Sequence, residues 1–369
     1  MQNFADRLFA AVAAKESPLV VGIDPDPRMI PPALFGRPRA GEPMREFLAR
    51  GVVRFAEAIV AAVAPHAAAI KPQLAYFERL GPAGIAAYEA TVACAKACDL
   101  LVIADGKRND IASTASQYAA AYLGGTGDGS RDVRNAGVGT SASGSSALAS
   151  GELEEWLAGA DGEAPKADAL TVNGYLGQDS LKPFIERLGM GSGLFVLVKT
   201  SNPSSGDLQD RLLQGEGGGW TAEGKSGPRG ASGAEGAGEG CEQAPDVPTG
   251  LTVAALVGGW LEEYNRAHTG ASGYGPLGAV VGATYPKELA DLRRRLVHTP
   301  FLIPGFGAQG GGVDDVVGGF DRRGLGAVVN ASRSILYAYR EAGELPFDKA
   351  AERKAKEIKE TLRKACQSL

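Results

Sequence analysis

Residues 100–124 read LLVIADGKRNDIASTASQYAAAYLG, and this stretch decides the fold. It opens with an unbroken apolar run, LLVIA, and passes at once into a charged segment, Asp105-Gly106-Lys107-Arg108-Asn109-Asp110. An alanine-rich segment follows that reads as a helix. A short continuous apolar run is the mark of a strand buried on both faces, as in a parallel sheet covered by helices. Seven further runs of the same kind lie outward from it, at 19–24, 67–71, 169–173, 194–199, 278–282, 300–304 and 326–330. Helix-like segments separate most of them, among them MREFLARGVVRFAEAIVAAV (44–63), GPAGIAAYEATVACAKAC (81–98) and YPKELADLRRRL (285–296).

Eight strand–helix units close a (β/α)8 barrel, which takes about 250 residues. A doubly wound open sheet is the alternative. The residues that end the runs favour the barrel: Asp24, Lys71, Asp105, Asn173, Lys199 and Asn330 are all polar. In a barrel such strand ends converge on one site, whereas in an open sheet they spread along an edge. Two segments exceed a compact barrel's needs, 124–151 and 214–250, both rich in Gly. The second is nearly devoid of apolar residues and is expected to be disordered. With these set aside as insertions, a single domain, residues 1–369, accounts for the chain.

Composition narrows the function. The formal charge of −5 and pI near 5.5 argue against a general nucleic-acid or membrane-surface binder. The N-terminal segment carries Asp6, Arg7, Lys15 and Glu16 and reads as an amphipathic helix, not a signal peptide. No apolar run is long enough to span a bilayer, so the expected location is the cytoplasm. Cys94 and Cys98 share a helix face and lack the second Cys or His pair that a zinc site needs. With three histidines, none in a recognisable catalytic setting, histidine acid–base chemistry is not expected.

The chemistry falls to lysine and aspartate. Asp105 closes its strand, and Lys107 and Asp110 follow in the loop. Alone, this pattern reads more readily as a solvated loop with ordinary charges. Lys71 shifts the balance, because a lysine ending an apolar strand needs a carboxylate partner and Asp105 ends the adjacent strand. Lys71, Asp105, Lys107 and Asp110 can then form a network of alternating charge.

A second constellation is PFLIPGFGAQGGGVDDVVGGF (300–320). Its GxGxxG would suggest a dinucleotide fold, but it follows the seventh strand, not the first, and its helix is too short. It makes better sense as a barrel's phosphate loop, which lies after strands seven and eight. Just past the eighth strand, Ser332 and Arg333 supply an N–H donor and a guanidinium for the same anion.

With these residues in place the chain resembles the orotidine 5′-phosphate decarboxylases, in particular their longer-chain bacterial subgroup. The resemblance rests on FADRLFAAVAAKESPLVVGIDPDP, IKPQLAYFERLG, VIADGKRNDIASTASQYA, VKTSNPSS, IPGFGAQGG and NASRSI, in the family's order and covering nearly the whole chain outside the insertions. It implies a cofactor-free barrel enzyme that needs no metal and converts orotidine 5′-phosphate to uridine 5′-phosphate, the last step of de novo pyrimidine synthesis. It implies a tetrad of Lys71, Asp105, Lys107 and Asp110, with Lys107 delivering a proton to C6. Asp110, Ile111 and Thr114 would be shared across a homodimer interface. Asp24 and Lys71 would hold the ribose hydroxyls, Ser201 the pyrimidine edge, and Gln309, Gly310, Ser332 and Arg333 the phosphate. The two insertions depart from the pattern, and the second follows the loop that bears Ser201.

Sugar-phosphate relatives of the same barrel group, such as hexulose-phosphate synthases and keto-gulonate-phosphate decarboxylases, share the D-x-K-x-x-D loop. They bind Mg2+ through an acidic residue at the end of strand two, where this chain has Lys71. A catalytically silent scaffold has no use for a strained charge cluster. A fusion with the preceding pathway enzyme would need more room than the Gly-rich insertions offer.

Overall fold

The computed structural model describes residues 2–124, 164–213, 251–307 and 312–369. Apart from Gly124, both Gly-rich segments lie outside these residues, and so do Gln309 and Gly310. The strands are β1 (Leu19–Ile23), β2 (Ala69–Pro72), β3 (Leu101–Arg108), β4 (Ala169–Val172), β5 (Gly193–Lys199), β6 (Leu277–Val281), β7 (Phe301–Pro304) and β8 (Ala327–Ala331). All are parallel to their neighbours, and β8 pairs back onto β1 to close the barrel in chain order. Every apolar run quoted above is a strand, and the open-sheet alternative falls.

The described helices are α1 (Phe4–Lys15), α2 (Met44–Val63), α3 (Leu74–Glu78), α4 (Pro82–Ala97), α5 (Ala112–Tyr122) and α6 (Lys182–Ile185). They continue with α7 (Val253–Ala267), α8 (Pro286–Arg295), α9 (Val313–Val317), α10 (Arg333–Leu336) and α11 (Phe347–Gln367). Their limits follow from local chemistry. Asn3 caps α1 by accepting from the Ala5 N–H at 2.8 Å, and Pro82 starts α4 where its missing N–H is not needed. In α2, Val52, Phe55, Ala56, Ile59, Val60 and Val63 recur at helical spacing and are buried. None of the described helices is long and apolar enough to cross a membrane.

Apolar side chains form two layers. The larger lies between the barrel and its helices, and Cys94 and Cys98 pack against it from one face. The smaller fills the barrel itself with Val20, Ile103, Phe195, Val280, Leu302 and Val328. Helix α1 closes the N-terminal end of this inner layer, its Phe4 ring meeting Phe195 edge-on at 6.0 Å. With one end plugged, the inward side chains are open to ligand only at the C-terminal end.

One boundary differs from the sequence reading. Strand β3 continues three residues past Asp105, so Lys107 stands on the strand and not in a loop. The extension survives because the Lys107 N–H donates to Thr171 Oγ1 at 2.9 Å and the Asn173 N–H to the Arg108 carbonyl at 2.9 Å. The register of β3 on β4 shifts between Ala104 and Arg108. Such an irregularity re-aims side chains at a barrel rim.

Candidate active site

Period-two alternation along β3 sends Asp105 and Lys107 into the barrel, while register with β1 and β3 places Lys71 beside them. The Lys71 ammonium meets Asp105 Oδ2 at 2.5 Å, and Lys107 Nζ meets Asp105 Oδ1 at 2.6 Å. Gln73 Nε2 donates to Oδ2 at 3.0 Å and Thr171 Oγ1 to Oδ1 at 2.9 Å, so the carboxylate accepts four side-chain hydrogen bonds. Lys71 and Asp105 are buried; the Lys107 side chain is 46% exposed.

Burial alone would raise the Asp105 pKa, but the two ammonium groups prevail and hold it far below the usual carboxylate range. Burial would likewise lower the Lys71 pKa, and the charges of Asp105 and Asp24 reverse that into a rise. Both partners are thus fixed in their ionised forms. Asp24 is different. Burial raises its pKa, and the Asp105 charge adds to the rise; Lys71 opposes it without cancelling it.

Lys71, Asp105, Lys107 and Thr171 line a cavity of about 470 Å³ together with Leu197, Val280, Leu302 and Pro304. Ser201 borders the same cavity, on a loop held by a clip between Gln209 and Thr200: Gln209 Oε1 accepts from the Thr200 N–H, and its Nε2 donates to Thr200 Oγ1, both at 2.9 Å. Across the rim, Asp24 Oδ1 and Asn330 Oδ1 are buried and have no hydrogen-bond partner among the described residues. A buried acceptor left empty is expensive, and at a strand end it marks where a donor on a ligand belongs. Backbone approach here is close: a side chain at Gly22 would collide with Ser332 Oγ and Asn330 Oδ1.

The structure therefore brings together three of the four tetrad residues. Asp110 stands apart: its Oδ1 accepts from its neighbour's Ile111 N–H at 2.9 Å, and it makes no ion pair among the described residues. Ile111 is 52% exposed, and Thr114 is exposed one turn along α5. Ser332 and Arg333 begin α10 directly beyond β8, with Ser332 Oγ accepting from Asn330 Nδ2 at 3.3 Å.

Comparison with known proteins fits this geometry. Residues 17–127 match the model of the orotidine 5′-phosphate decarboxylase / HUMPS family. An orotidine 5′-phosphate decarboxylase of Rhodopirellula baltica is 38% identical over 92% of this chain and 90% of its own length. The chain belongs to the orotidine 5′-phosphate decarboxylase family. A second family enzyme, from Caldicellulosiruptor bescii, is 32% identical over 99% of both chains. A crystal structure of a Streptomyces avermitilis protein of the family superposes with a TM-score of 0.66 at 30% identity, over 99% of this chain and 96% of that one. The chain is thus an enzyme, of the carboxy-lyase class.

Within this family frame, sequence reasoning missed several residues. Gln73 and Thr171 complete the shell around Asp105, and Tyr337 donates to the Asp24 carbonyl at 2.7 Å while accepting from the Asp26 N–H at 2.9 Å. Arg108 was part of the quoted segment without a role. Its side chain leaves the barrel, pairs with Glu78, and lies over the rings of Tyr118 at 5.1 Å and Tyr122 at 5.2 Å. The signal for Thr171 was present, as the one hydroxyl in the apolar run ALTV.

Proposed function

We propose that this family member decarboxylates orotidine 5′-phosphate to uridine 5′-phosphate by electrostatic stabilisation of a carbanion at C6. The observation that carries the reading is the Asp105 carboxylate held between Lys71 and Lys107 at the mouth of the barrel cavity. Cleavage of the C6–carboxyl bond releases CO2 and leaves an electron pair on C6. The Lys107 ammonium is preorganised to stabilise that charge and then gives C6 a proton. Asp105 fixes both ammonium groups and disfavours the bound substrate carboxylate. Asp24, with its empty acceptor, and Lys71 hold the ribose hydroxyls. Ser201 reads the pyrimidine edge.

Ser332 and Arg333 hold the phosphate, with Gln309 and Gly310 from the preceding loop. Phosphate contacts made far from C6 orient the reacting end. Asp110, Ile111 and Thr114 complete the site of a second copy in a homodimer. The exposure of Ile111 and Thr114 on one chain supports this, as do Tyr175 (72% exposed) and Leu176 (45% exposed) on the neighbouring loop.

The deciding experiment mixes purified protein with orotidine 5′-phosphate in EDTA and follows the absorbance. Rapid conversion to uridine 5′-phosphate is expected. No conversion, with Mg2+ restoring turnover on a sugar phosphate, would move the chain to the metal-dependent branch. Lys107→Ala is expected to abolish turnover with an unchanged circular dichroism spectrum. Substantial residual rate in that variant removes Lys107 as proton donor.

A further inference from the structure

A second cleft, of about 770 Å³, opens between the turn after β7 at Phe306–Gly307, the short helix α10 and α11 between Ala350 and Thr361. It is far larger than one phosphate needs, and its charge is unusual for this molecule. The chain as a whole carries −5, yet Arg333, Arg340, Arg353 and Lys354 line this one space, against Glu341 and Glu357. Lys354 is already neutralised by Glu357 at 2.9 Å. The three arginines make no ion pair among the described residues, and there the Arg340 guanidinium donates only to the Met29 thioether at 2.9 Å, a weak acceptor. On the same wall Ser334 Oγ is buried without a hydrogen-bond partner among the described residues. Unpaired guanidinium groups around an open space, with an unsatisfied hydroxyl among them, fit an extended anion with several oxygens.

Arg333 identifies which anion. In the reading above, which this inference extends, Arg333 holds the substrate's single phosphate, and it also lines the cleft. A phosphate held there borders the same cleft that Arg340 and Arg353 line. We propose that the cleft is a polyphosphate subsite: nucleoside di- and triphosphates of the product's own base bind with their first phosphate at Arg333 and the outer ones at Arg340 and Arg353. They act as competitive inhibitors, and affinity rises with each added phosphate.

The test measures inhibition of orotidine 5′-phosphate turnover by UMP, UDP and UTP in EDTA at low salt. UTP is expected to bind roughly tenfold tighter than UMP, with UDP between them, and the advantage shrinks as salt screens the arginines. The double variant Arg340→Gln/Arg353→Gln brings UTP back to the affinity of UMP, while the inhibition by UMP and the kcat/KM for substrate stay as they were. UTP no tighter than UMP in the unmodified enzyme overturns the subsite. So does a UTP advantage that survives the double substitution. If UMP itself fails to compete, the placing of the phosphate at Arg333 is wrong and the subsite falls with it, an outcome distinct from UMP competing normally without gain for UTP.

Discussion

The two ends of the barrel carry the same device in different surroundings. At the C-terminal end Asp105 is buried between two cations, Lys71 and Lys107; at the N-terminal end Asp168 is buried between two others, Arg7 and Lys96. The lower aspartate is fully used. It also accepts from the Val102 N–H at 2.8 Å, and Arg7 goes on to the Gly191 carbonyl at 3.0 Å, which pins the plugging helix α1 to the barrel. The upper aspartate is as well satisfied, yet its neighbours are not: among the described residues Asp24 and Asn330 keep empty acceptors, and Lys107 lines an open cavity. A charge cluster becomes a site when the polar groups around it are left unsatisfied and a ligand can reach them. Where every partner is found within the chain, the same charges are a fastening.

Exchanging each aspartate for asparagine tests that contrast, and the largest effect belongs to the upper end. Asp105→Asn removes the group that orients both ammonium groups, and kcat/KM is expected to fall at least about 10³-fold, or ~4 kcal/mol. Its effect on stability is smaller than the burial suggests, since Lys71 retains the nearby Asp24 charge. Asp168→Asn reverses the pattern. The variant keeps turnover within about threefold but loses roughly 2–3 kcal/mol of stability, less than a wholly buried pair because Arg7 and Lys96 are 21% and 40% exposed. Urea unfolding and steady-state rates on both proteins give the answer. Equal losses of activity would erase the distinction between the two ends.

The sequence made much of the upper end legible and almost none of the lower. The upper one is readable because its charges stand at strand ends, where an apolar run has no structural use for them: Lys71 after AAAI and Asp105 after LLVIA stand out in a single sequence. Asp168 precedes its strand, and its partners Arg7 and Lys96 lie 161 and 72 residues away, so only barrel closure brings them together. Thr171 and Gln73 were hidden for a related reason. Their contacts depend on the register of β3 with its two neighbours, including the irregularity after Ala104, which no apolar pattern encodes. The sequence pattern ends the strand at Asp105 because Gly106 and the charges after it read as a loop, whereas Thr171 and Asn173 keep that segment paired.

Arg108 sharpens the comparison from the outside of the barrel. Lys107 and Ala112, both non-glycine, hold left-handed backbone with φ of 46° each. Such conformations cost about 1–3 kcal/mol and persist only where the surroundings impose them. Between them, Arg108 bolts the end of β3 to α5 through Tyr118 and Tyr122. Arg108→Ala is expected to lower kcat by ten- to a hundredfold, about 1.4–2.8 kcal/mol, with little change in KM, because the Lys107 ammonium loses its aim while the binding groups stay in place. Arg108→Lys keeps the charge but not the planar stack and restores only a minor part. A variant that loses stability at unchanged kcat would make Arg108 a fastening like Asp168.

The smallest effect is the most specific to the upper end. Burial, more than the Asp105 charge, raises the pKa of Asp24 in the folded chain, so folding favours its neutral form. The stabilisation that the neutral form confers is present below the ordinary carboxylate pKa and is lost as pH rises through the raised folded value. Near pH 7 the ionised Asp24 therefore lowers stability, which is the reverse of Asp105, whose depressed pKa makes ionisation favourable in the fold until strong acid. Asp24→Asn should raise stability at pH 7.5 by about 1 kcal/mol, roughly 2 °C in Tm, and the gain should shrink as the pH is lowered towards 4. Turnover should fall in the same variant, because the empty acceptor that a ribose hydroxyl would fill becomes part of an amide. Thermal melts of both proteins at pH 4.5 and 7.5 decide it. If Asp24→Asn is the less stable protein at pH 7.5, Asp24 is held for the fold and not for a ligand, and the upper end is less of a site than its empty acceptors indicate.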